Sequence, residues 1–273
     1  MSSKRIIYYY QTFIGLENIL NKEKPDVTHI IVSSIHFGLT SDNKPYIHLN
    51  DYPPYDPRFD KLWEQLEELN FRGVKIMLMV GGAGGAYKQL FTENYDTYKN
   101  LLLNLLYEKS FIEGIDFDVE ETVTLDNIVK FICDIERKMD NEDFVYTMAP
   151  VMGAMISDEP GMGGFRYKDL LKTKAGKIIN WFNVQSYYEF TEKIYDTIVL
   201  NGYDSSKIVL GMINSQFNSD NFQKCLNILQ NISKKYKDNF GGVDIWEYTN
   251  SPPDINDPSK WAFYINKVIN NQK

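Results

Sequence analysis

Several features that would identify a function at a glance are scarce or missing in this sequence. Its 273 residues include only two cysteines, Cys133 and Cys225, so two core thiols are a better interpretation than a disulfide-stabilised fold. No apolar run reaches the roughly 18 residues of a membrane span, and the N-terminus shows neither the apolar segment nor the cleavage site of a secretory signal. We therefore expect no membrane partner and a cytoplasmic location, unless an unconventional route exports the chain.

Positive charge is scarce as well, since 29 Lys and Arg face 37 Asp and Glu for a formal net charge of -8. An acidic surface argues against nucleic acid as a partner. The glycine run of residues 81–85 is not followed by the Lys-Ser/Thr of a phosphate loop. The three histidines, His29, His36 and His48, show no metal-ligand spacing. We expect neither a cofactor nor a metal.

What the chain does contain is an alternation of short apolar runs with amphipathic stretches, about eight of each. This is the pattern of parallel strands joined by crossover helices, and the length suits one (β/α)₈ TIM barrel, which needs roughly 250 residues. The predicted strands are Ile6–Tyr10, His29–Phe37, Lys75–Gly82, Gly114–Glu120, Phe144–Pro150, Trp181–Tyr188, Ile208–Ile213 and Val243–Tyr248. The predicted helices are Leu16–Asn21, Phe59–Phe71, Tyr95–Lys109, Leu125–Met139, Tyr167–Lys174, Tyr195–Asn201, Phe222–Tyr236 and Lys260–Asn270.

No linker or repeat divides the chain, so we expect residues 1–273 to form a single catalytic barrel domain with its site at the carboxyl ends of the strands. Two long loops, Leu39–Arg58 and Val151–Arg166, follow strands and would lie on that face. The competing doubly wound sheet is disfavoured because no G-x-G-x-x-G follows the first strand. Thr124 and Asp220 are expected to cap the fourth and seventh helices.

The segment Gly114–Glu120 carries the strongest chemical signal. Its acids, Asp116, Asp118 and Glu120, alternate with apolar residues and so share one face of a strand. The apolar face must pack on helices, which leaves three carboxyls pointing into the barrel. Because neighbouring acids in a low dielectric cannot all ionise, at least one pKa should rise. Glu120, last in the strand, would lie at the mouth as a protonated general acid.

The same segment, read from Glu113 to Glu120, closely resembles the D-G-x-D-x-D-x-E signature of family 18 glycoside hydrolases, the chitinases and endo-β-N-acetylglucosaminidases. Weaker likenesses to that family's third, fifth, sixth and eighth strands follow in the family's order at residues 75–82, 147–150, 183–187 and 242–246. The resemblance spans most of the chain.

The resemblance implies a retaining mechanism in which the substrate's own 2-acetamido group replaces an enzyme nucleophile. Glu120 would protonate the glycosidic oxygen and later activate water. Asp118 would orient the acetamide, and Asp116 would hold Asp118 and share its proton. Tyr187 would hydrogen-bond the acetamide oxygen, and Trp246 would form the floor of the sugar site. Taken alone, Trp246 fits a core tryptophan equally well, and Tyr187 fits a core tyrosine better.

Further residues are expected at the mouth. Gln185 and Met148 would contact the sugar, and Gly82 would make a tight turn beside it. Tyr10 is a candidate for the pocket lining, although core packing explains it equally well.

Three positions depart from the family pattern. Glu113 replaces an aspartate, Met79 stands where a serine is common, and Tyr188 stands where an acid or asparagine is usual. The first should matter little. Met79 puts the proton sharing below Asp118 in question, and Tyr188 would reshape a neighbouring sugar subsite.

The functional expectation is hydrolysis of β-1,4 bonds next to N-acetylglucosamine in chitin or chito-oligosaccharides, by a monomer. The alternatives are an endo-β-N-acetylglucosaminidase acting on the N-glycan core, a non-catalytic glycan-binding lectin, and a metal-dependent enzyme that uses the three acids as ligands. Relatives that became lectins usually lose the glutamate at the position of Glu120, which is present here.

Overall fold

Eight parallel strands close into a barrel in the computed structural model, which describes residues 4–270. The predicted (β/α)₈ architecture is confirmed, and a ninth strand, β3, pairs antiparallel with β2 outside the barrel. The strands are β1 Arg5–Tyr10, β2 His29–Leu39, β3 Pro45–Leu49, β4 Lys75–Gly81, β5 Ile112–Asp118, β6 Val145–Met148, β7 Trp181–Gln185, β8 Ile208–Ile213 and β9 Gly242–Trp246. Pairing of β1 with both β2 and β9 closes the ring.

Helices of very different length surround the barrel. They are α1 Glu17–Leu20, α2 Asp60–Phe71, α3 Ala86–Leu90, α4 Tyr95–Glu108, α5 Leu125–Met139, α6 Met152–Ile156, α7 Tyr167–Leu171, α8 Lys174–Ile178, α9 Glu192–Leu200, α10 Phe222–Tyr236 and α11 Ser259–Ile269. The predicted bounds of α5 and α10 are correct to the residue, since both helices have a long apolar stripe at helical spacing.

Two apolar layers follow from the alternation of the strands. Residues of one phase, such as Ile115 and Phe117 of β5, pack outward on the helices in one large core. Residues of the other phase fill the barrel, and its interior cluster consists of Ile7, Tyr9, Ile31, Met77, Met79, Val145, Trp181 and Val209, with Trp246 packed against it. A polar side chain of this inward phase can reach only the barrel interior or its mouths, which is how the fold places the site.

Several element boundaries differ from the prediction. β5 ends at Asp118, so Glu120 lies two residues beyond the strand, because the ladder with β4 stops at the Gly81–Asp118 pair. The long loop after β2 contains the hairpin strand β3. The helix predicted over Tyr167–Lys174 ends at Leu171 as α7, and a further helix, α8, begins at Lys174, because the Thr173 hydroxyl accepts from the Gly176 N–H.

Capping of the helices was predicted correctly at one of two positions. The Thr124 hydroxyl accepts from the Asn127 N–H at 3.2 Å and caps α5. The prediction for Asp220 was wrong, because α10 begins after Asn221. The side-chain oxygen of Asn218 accepts from the backbone N–H groups of Asp220 and Asn221, and it fixes this turn instead.

Cys133 and Cys225 are both free thiols, and Cys225 is buried on α10. Among residues 4–270, no helix combines the length and apolar character needed to cross a bilayer.

Candidate active site

The acids of β5 point into the barrel. Asp116 is completely buried, and Asp118 is 5% exposed. Glu120, beyond the end of the strand, is half-buried at the carboxyl-terminal mouth. The three carboxyls therefore form a column that rises from the barrel interior to its opening.

Asp116 at the base of the column is fully hydrogen-bonded. The hydroxyls of Tyr9 and Thr147 donate to it at 2.8 and 2.5 Å, and the Asn183 amide donates at 3.1 Å. Burial raises the pKa of Asp116 to about 6, although these three donors oppose the rise. Because the donors favour the anion, Asp116 is the member of the column best suited to ionise near neutral pH.

Asp118 and Glu120 hydrogen-bond each other and share the Gln185 amide. Gln185 Nε2 donates to Asp118 Oδ1 at 3.1 Å and to the Ala149 carbonyl at 2.9 Å, and it also reaches Glu120. Burial, then the charges of Glu120 and Asp116, hold the pKa of Asp118 well above its usual range. Burial also raises the pKa of Glu120. Such a pair can share one proton, which keeps an acid available at the mouth at neutral pH.

The column opens into a cavity of about 260 Å³. Its lining residues are Gln11, Ser34, Met79, Gly82, Ala83, Asp118, Glu120, Gln185, Tyr187 and Trp246. Six of the nine residues predicted for the site therefore meet there: Glu120, Asp118, Tyr187, Trp246, Gln185 and Gly82. Asp116 lies below the pocket, among the donors that hold it.

Glycine is required at position 82. The backbone there has φ +81°, and a Cβ would lie 2.7 Å from Met79 Cε and 3.6 Å from Asp118 Oδ2. A side chain at Gly82 would thus strain the turn and intrude on the acids.

Trp246 lines the pocket at the end of β9, and its ring packs on Tyr9 with centroids 5.3 Å apart. The next residue, Glu247, accepts from the backbone N–H groups of Gln11 and Thr12, both at 2.8 Å. It also accepts from the Thr12 hydroxyl at 2.6 Å. Glu247 thereby joins the loops after β9 and β1 at the edge of the pocket, a role that the sequence patterns did not reveal.

Two predicted pocket residues lie elsewhere. Tyr10 is 1% exposed and packs outward on Phe13 and Tyr248, while its hydroxyl accepts from the Gly15 N–H. The reason is the strand period: Tyr9 takes the inward phase, so Tyr10 takes the outward one. Met148 is likewise completely buried in the outer core, because Thr147 is the inward residue of β6.

The three residues that depart from the family pattern lie in different parts of the structure. Glu113 lies near the start of β5, away from the pocket, where the Asn70 amide donates to it at 2.7 Å. Met79 faces inward, and its sulfur accepts from the Ser33 hydroxyl at 3.4 Å. Met79 does not contact Asp116 by a hydrogen bond; Tyr9, Thr147 and Asn183 supply that network. Tyr188 is 71% exposed with φ +63°, and its hydroxyl lies 3.4 Å from Ser215 Oγ.

Sequence reasoning overlooked Tyr9, Thr147, Asn183 and Asp244 as site residues. The available signal was phase: each lies one or three residues from an apolar neighbour that must face outward, so each must face inward. Among the described residues 4–270, no group of three His, Cys, Asp or Glu side chains is arranged to hold a metal ion.

The chain was compared with known proteins. No family model matches the sequence, and no curated protein matches it. A fungal endo-β-N-acetylglucosaminidase of glycosyl hydrolase family 18 is similar in structure, with a TM-score of 0.87, 29% identity and coverage of 100% of both chains. A chitinase from Aspergillus fumigatus has a TM-score of 0.81 and 29% identity, over 92% of this chain and 94% of that one.

A family 18 chitinase from Pseudoalteromonas aurantia shares the fold at a TM-score of 0.70 and 16% identity, over 97% of this chain and 100% of that one. The likenesses at 29% identity extend across nearly the whole of each chain, and they agree with the barrel fold. The chain is therefore a glycosidase with the fold of glycoside hydrolase family 18.

Proposed function

We propose that the protein hydrolyses β-1,4 bonds next to N-acetylglucosamine in chitin or chito-oligosaccharides, with retention of configuration and with Glu120 as general acid and base. The observation that carries this proposal is the hydrogen-bonded pair of Asp118 and Glu120 at the pocket, with the pKa of each raised. A carboxyl kept protonated at the mouth of a barrel is what departure of a sugar alcohol requires.

In the first step, Glu120 donates its proton to the glycosidic oxygen as the C1–O bond breaks. The substrate's acetamide oxygen forms the new bond to C1, and the resulting oxazolinium ion carries one positive charge. No enzyme nucleophile is needed, and proximity of the acetamide supplies much of the rate.

Asp118 and Tyr187 hold the two ends of that acetamide. Asp118 accepts the N–H and stabilises the growing positive charge, while the Tyr187 hydroxyl donates to the acetamide oxygen. Asp118 turns toward the substrate while the proton of the pair lies on Glu120, and Asp116 stays below it, held by its three donors. Trp246 gives the apolar face of the sugar a flat surface to pack on.

In the second step, Glu120, now ionised, removes a proton from water. The water oxygen bonds to C1, the bond from the acetamide oxygen breaks, and Glu120 is protonated again. Two inversions at C1 leave the configuration of the product unchanged.

A second candidate is cleavage of the N-glycan core. It is favoured by one observation, the full-length likeness to an endo-β-N-acetylglucosaminidase. The pocket residues described here would perform the same chemistry on either substrate, since both place an N-acetylglucosamine beside the scissile bond.

The deciding experiment incubates the purified protein with labelled chitotriose and with a high-mannose glycopeptide. Cleavage of chitotriose, with the β-anomer formed first as seen by proton NMR, is the expected result. Cleavage of the glycopeptide alone would favour the second candidate, cleavage of the N-glycan core. An α-anomer as first product, or equal rates on a substrate without the 2-acetamido group, would contradict the mechanism. Loss of activity with a chelator would instead support the metal-dependent alternative.

A further inference from the structure

A fourth acid of the barrel interior, Asp244, has no place in the mechanism above. It lies on β9 between the outward residues Val243 and Ile245, so it shares the inward phase with Trp246. It is 2% exposed, and its Oδ2 atom is buried without a hydrogen-bond partner. A buried polar atom left unpaired destabilises the fold. An apolar side chain in the same layer would avoid that loss, so the acid calls for a functional reason.

The neighbouring strand leaves room for this carboxyl. Gly211 of β8 is paired with Asp244, and a Cβ there would lie 2.8 Å from Asp244 Oδ1 and 3.0 Å from Oδ2. On its other side, the Gly211 carbonyl accepts from the Ser186 N–H at 3.0 Å, directly before Tyr187. Because Gly211 has no side chain, only its backbone lies between Asp244 and the start of the segment that carries Tyr187.

The groups around Asp244 favour its neutral form. The titratable groups that face Asp244 are Asp116 on β5, Tyr9 on β1 and Tyr187 after β7, and none of them is a cation. Burial, then the charge of Asp116, holds the pKa of Asp244 well above its usual range. Among the acids around Tyr187, Asp244 is the one whose charge most strongly raises the pKa of the tyrosine hydroxyl, ahead of Asp118 and Glu120.

We propose that Asp244 is a positioning residue that acts through Tyr187: as the neutral acid, it donates to the tyrosine oxygen and thereby directs the tyrosine proton at the bound substrate. A neutral carboxyl has one O–H to donate, and hydrogen bonds of an active site often tighten only when substrate is bound. An ionised Asp244 would accept from Tyr187 instead and turn its proton away. This inference rests on the role proposed for Tyr187.

Two substitutions separate these states. Asp244→Asn keeps a donor of the same shape and cannot ionise. Its kcat should stay within about 3-fold of the wild type, and activity should fall less steeply above neutral pH, with one proton lost instead of two. Asp244→Leu removes the donor and should lower kcat at least ~10-fold, more than it changes KM, since one transition-state hydrogen bond is removed.

The control is Asp134→Asn, because Asp134 is also a buried acid but lies on α5, away from the pocket. It should change neither the steepness nor the position of the alkaline limb. Circular dichroism checks the fold of each variant; if the leucine variant does not fold, the alkaline limb of Asp244→Asn decides. Wild-type kcat, KM and pH profile in a folded Asp244→Leu, or an unchanged alkaline limb in Asp244→Asn, would overturn the proposal.

A measurement without substrate tests the protonation state of Asp244 separately from the proposed function. Carbon-13 NMR of protein labelled at the aspartate carboxyls, compared with Asp244→Asn, identifies the Asp244 signal. It should have the chemical shift of a neutral acid at pH 7. An ionised signal at pH 7 would overturn the positioning role even if the enzyme cleaves chitotriose. A protein that cleaves none of the substrates would instead refute the proposed function.

Discussion

Two buried acidic regions of this molecule behave in opposite ways. Asp134 on α5 is 8% exposed and accepts from Lys130 at 2.6 Å, Arg137 at 2.7 Å and Tyr95 at 2.9 Å. Burial alone would raise its pKa, but the bonds from Lys130 and Tyr95 and the nearby lysines outweigh burial, so the pKa is lowered. In the barrel interior, burial and neighbouring acids raise the pKa of Asp118 and of Asp244.

The difference lies in the partners. Helix α5 places cations three and four residues from Asp134, the spacing at which side chains meet on a helix surface. The inward phase of the barrel strands supplies Tyr9, Thr147, Asn183 and Gln185, which are neutral donors, and more acids. The first region stabilises an anion and serves the fold. The second favours the protonated forms of Asp118 and Asp244, a pattern that is common at functional sites.

The largest effect that would test this contrast is expected for Glu120→Gln. The amide keeps the shape of the side chain but has no proton to transfer, so turnover on a cleaved substrate should fall by at least ~10²-fold. The circular dichroism spectrum should not change. Wild-type turnover in the folded variant would refute the assignment of the general acid.

Asp118→Asn should lower activity but raise stability at alkaline pH. Turnover should fall at least ~10-fold, because the acetamide loses its anionic partner. The folded state raises the pKa of Asp118. The stability contributed by its neutral carboxyl is therefore complete below the unfolded pKa of ~4. That stability is lost as pH rises through the folded pKa. An asparagine never ionises, so the variant should melt above the wild type at pH 8.

That advantage of Asp118→Asn should shrink toward pH 4, where both proteins are neutral at this position. Melting curves across pH measure it, and a variant that melts below the wild type at pH 8 would contradict the assigned direction.

The neighbouring tyrosines of β1 form a matched pair of smaller effects. Tyr9→Phe removes a donor to Asp116, and a hydrogen bond to a charged group is worth about 1.5–3 kcal/mol. The pKa of Asp116, about 6 in the intact column, should rise by at least ~1 unit, so the acid limb of kcat/KM moves to higher pH.

Tyr10→Phe is the control for that change, since Tyr10 faces the outer core. It removes only the bond from the Gly15 N–H, so the pH profile and KM should remain those of the wild type. Equal shifts of the acid limb in both variants would show that the inward and outward phases are not functionally distinct.

The smallest effect is expected for Asp134→Asn. Its partners Lys130 and Arg137 are 54% and 69% exposed, so the lost ion pairs should lower stability by only about 1 kcal/mol. The melting temperature should fall by about 2 °C at neutral pH, and kcat should not change. A decrease of kcat similar to that of Asp118→Asn would remove the distinction between the two regions.

Sequence patterns predicted the barrel well because apolar periodicity reflects burial directly. They failed where pairing or a cap decides a boundary: β3 was missed inside a polar loop, and α8 was missed where Thr173 restarts the chain as a helix. Tyr10 and Met148 were assigned to the pocket because a strand end alone does not tell which of two adjacent residues faces inward. Asp244 was missed because the phase set by its outward neighbours Val243 and Ile245 was not applied to a single acid.

By itself the sequence determined the order of the eight barrel strands, the acids Asp116 and Asp118 of β5 and the position of Glu120 at the end of that segment, because these follow from periodicity along the chain. Only the tertiary structure decided which donors meet Asp116, that Gln185 joins Asp118 to Glu120, and that Asp244 lies across Gly211 from the segment of Tyr187. Those contacts join strands far apart in the chain, and their register is set when the barrel closes.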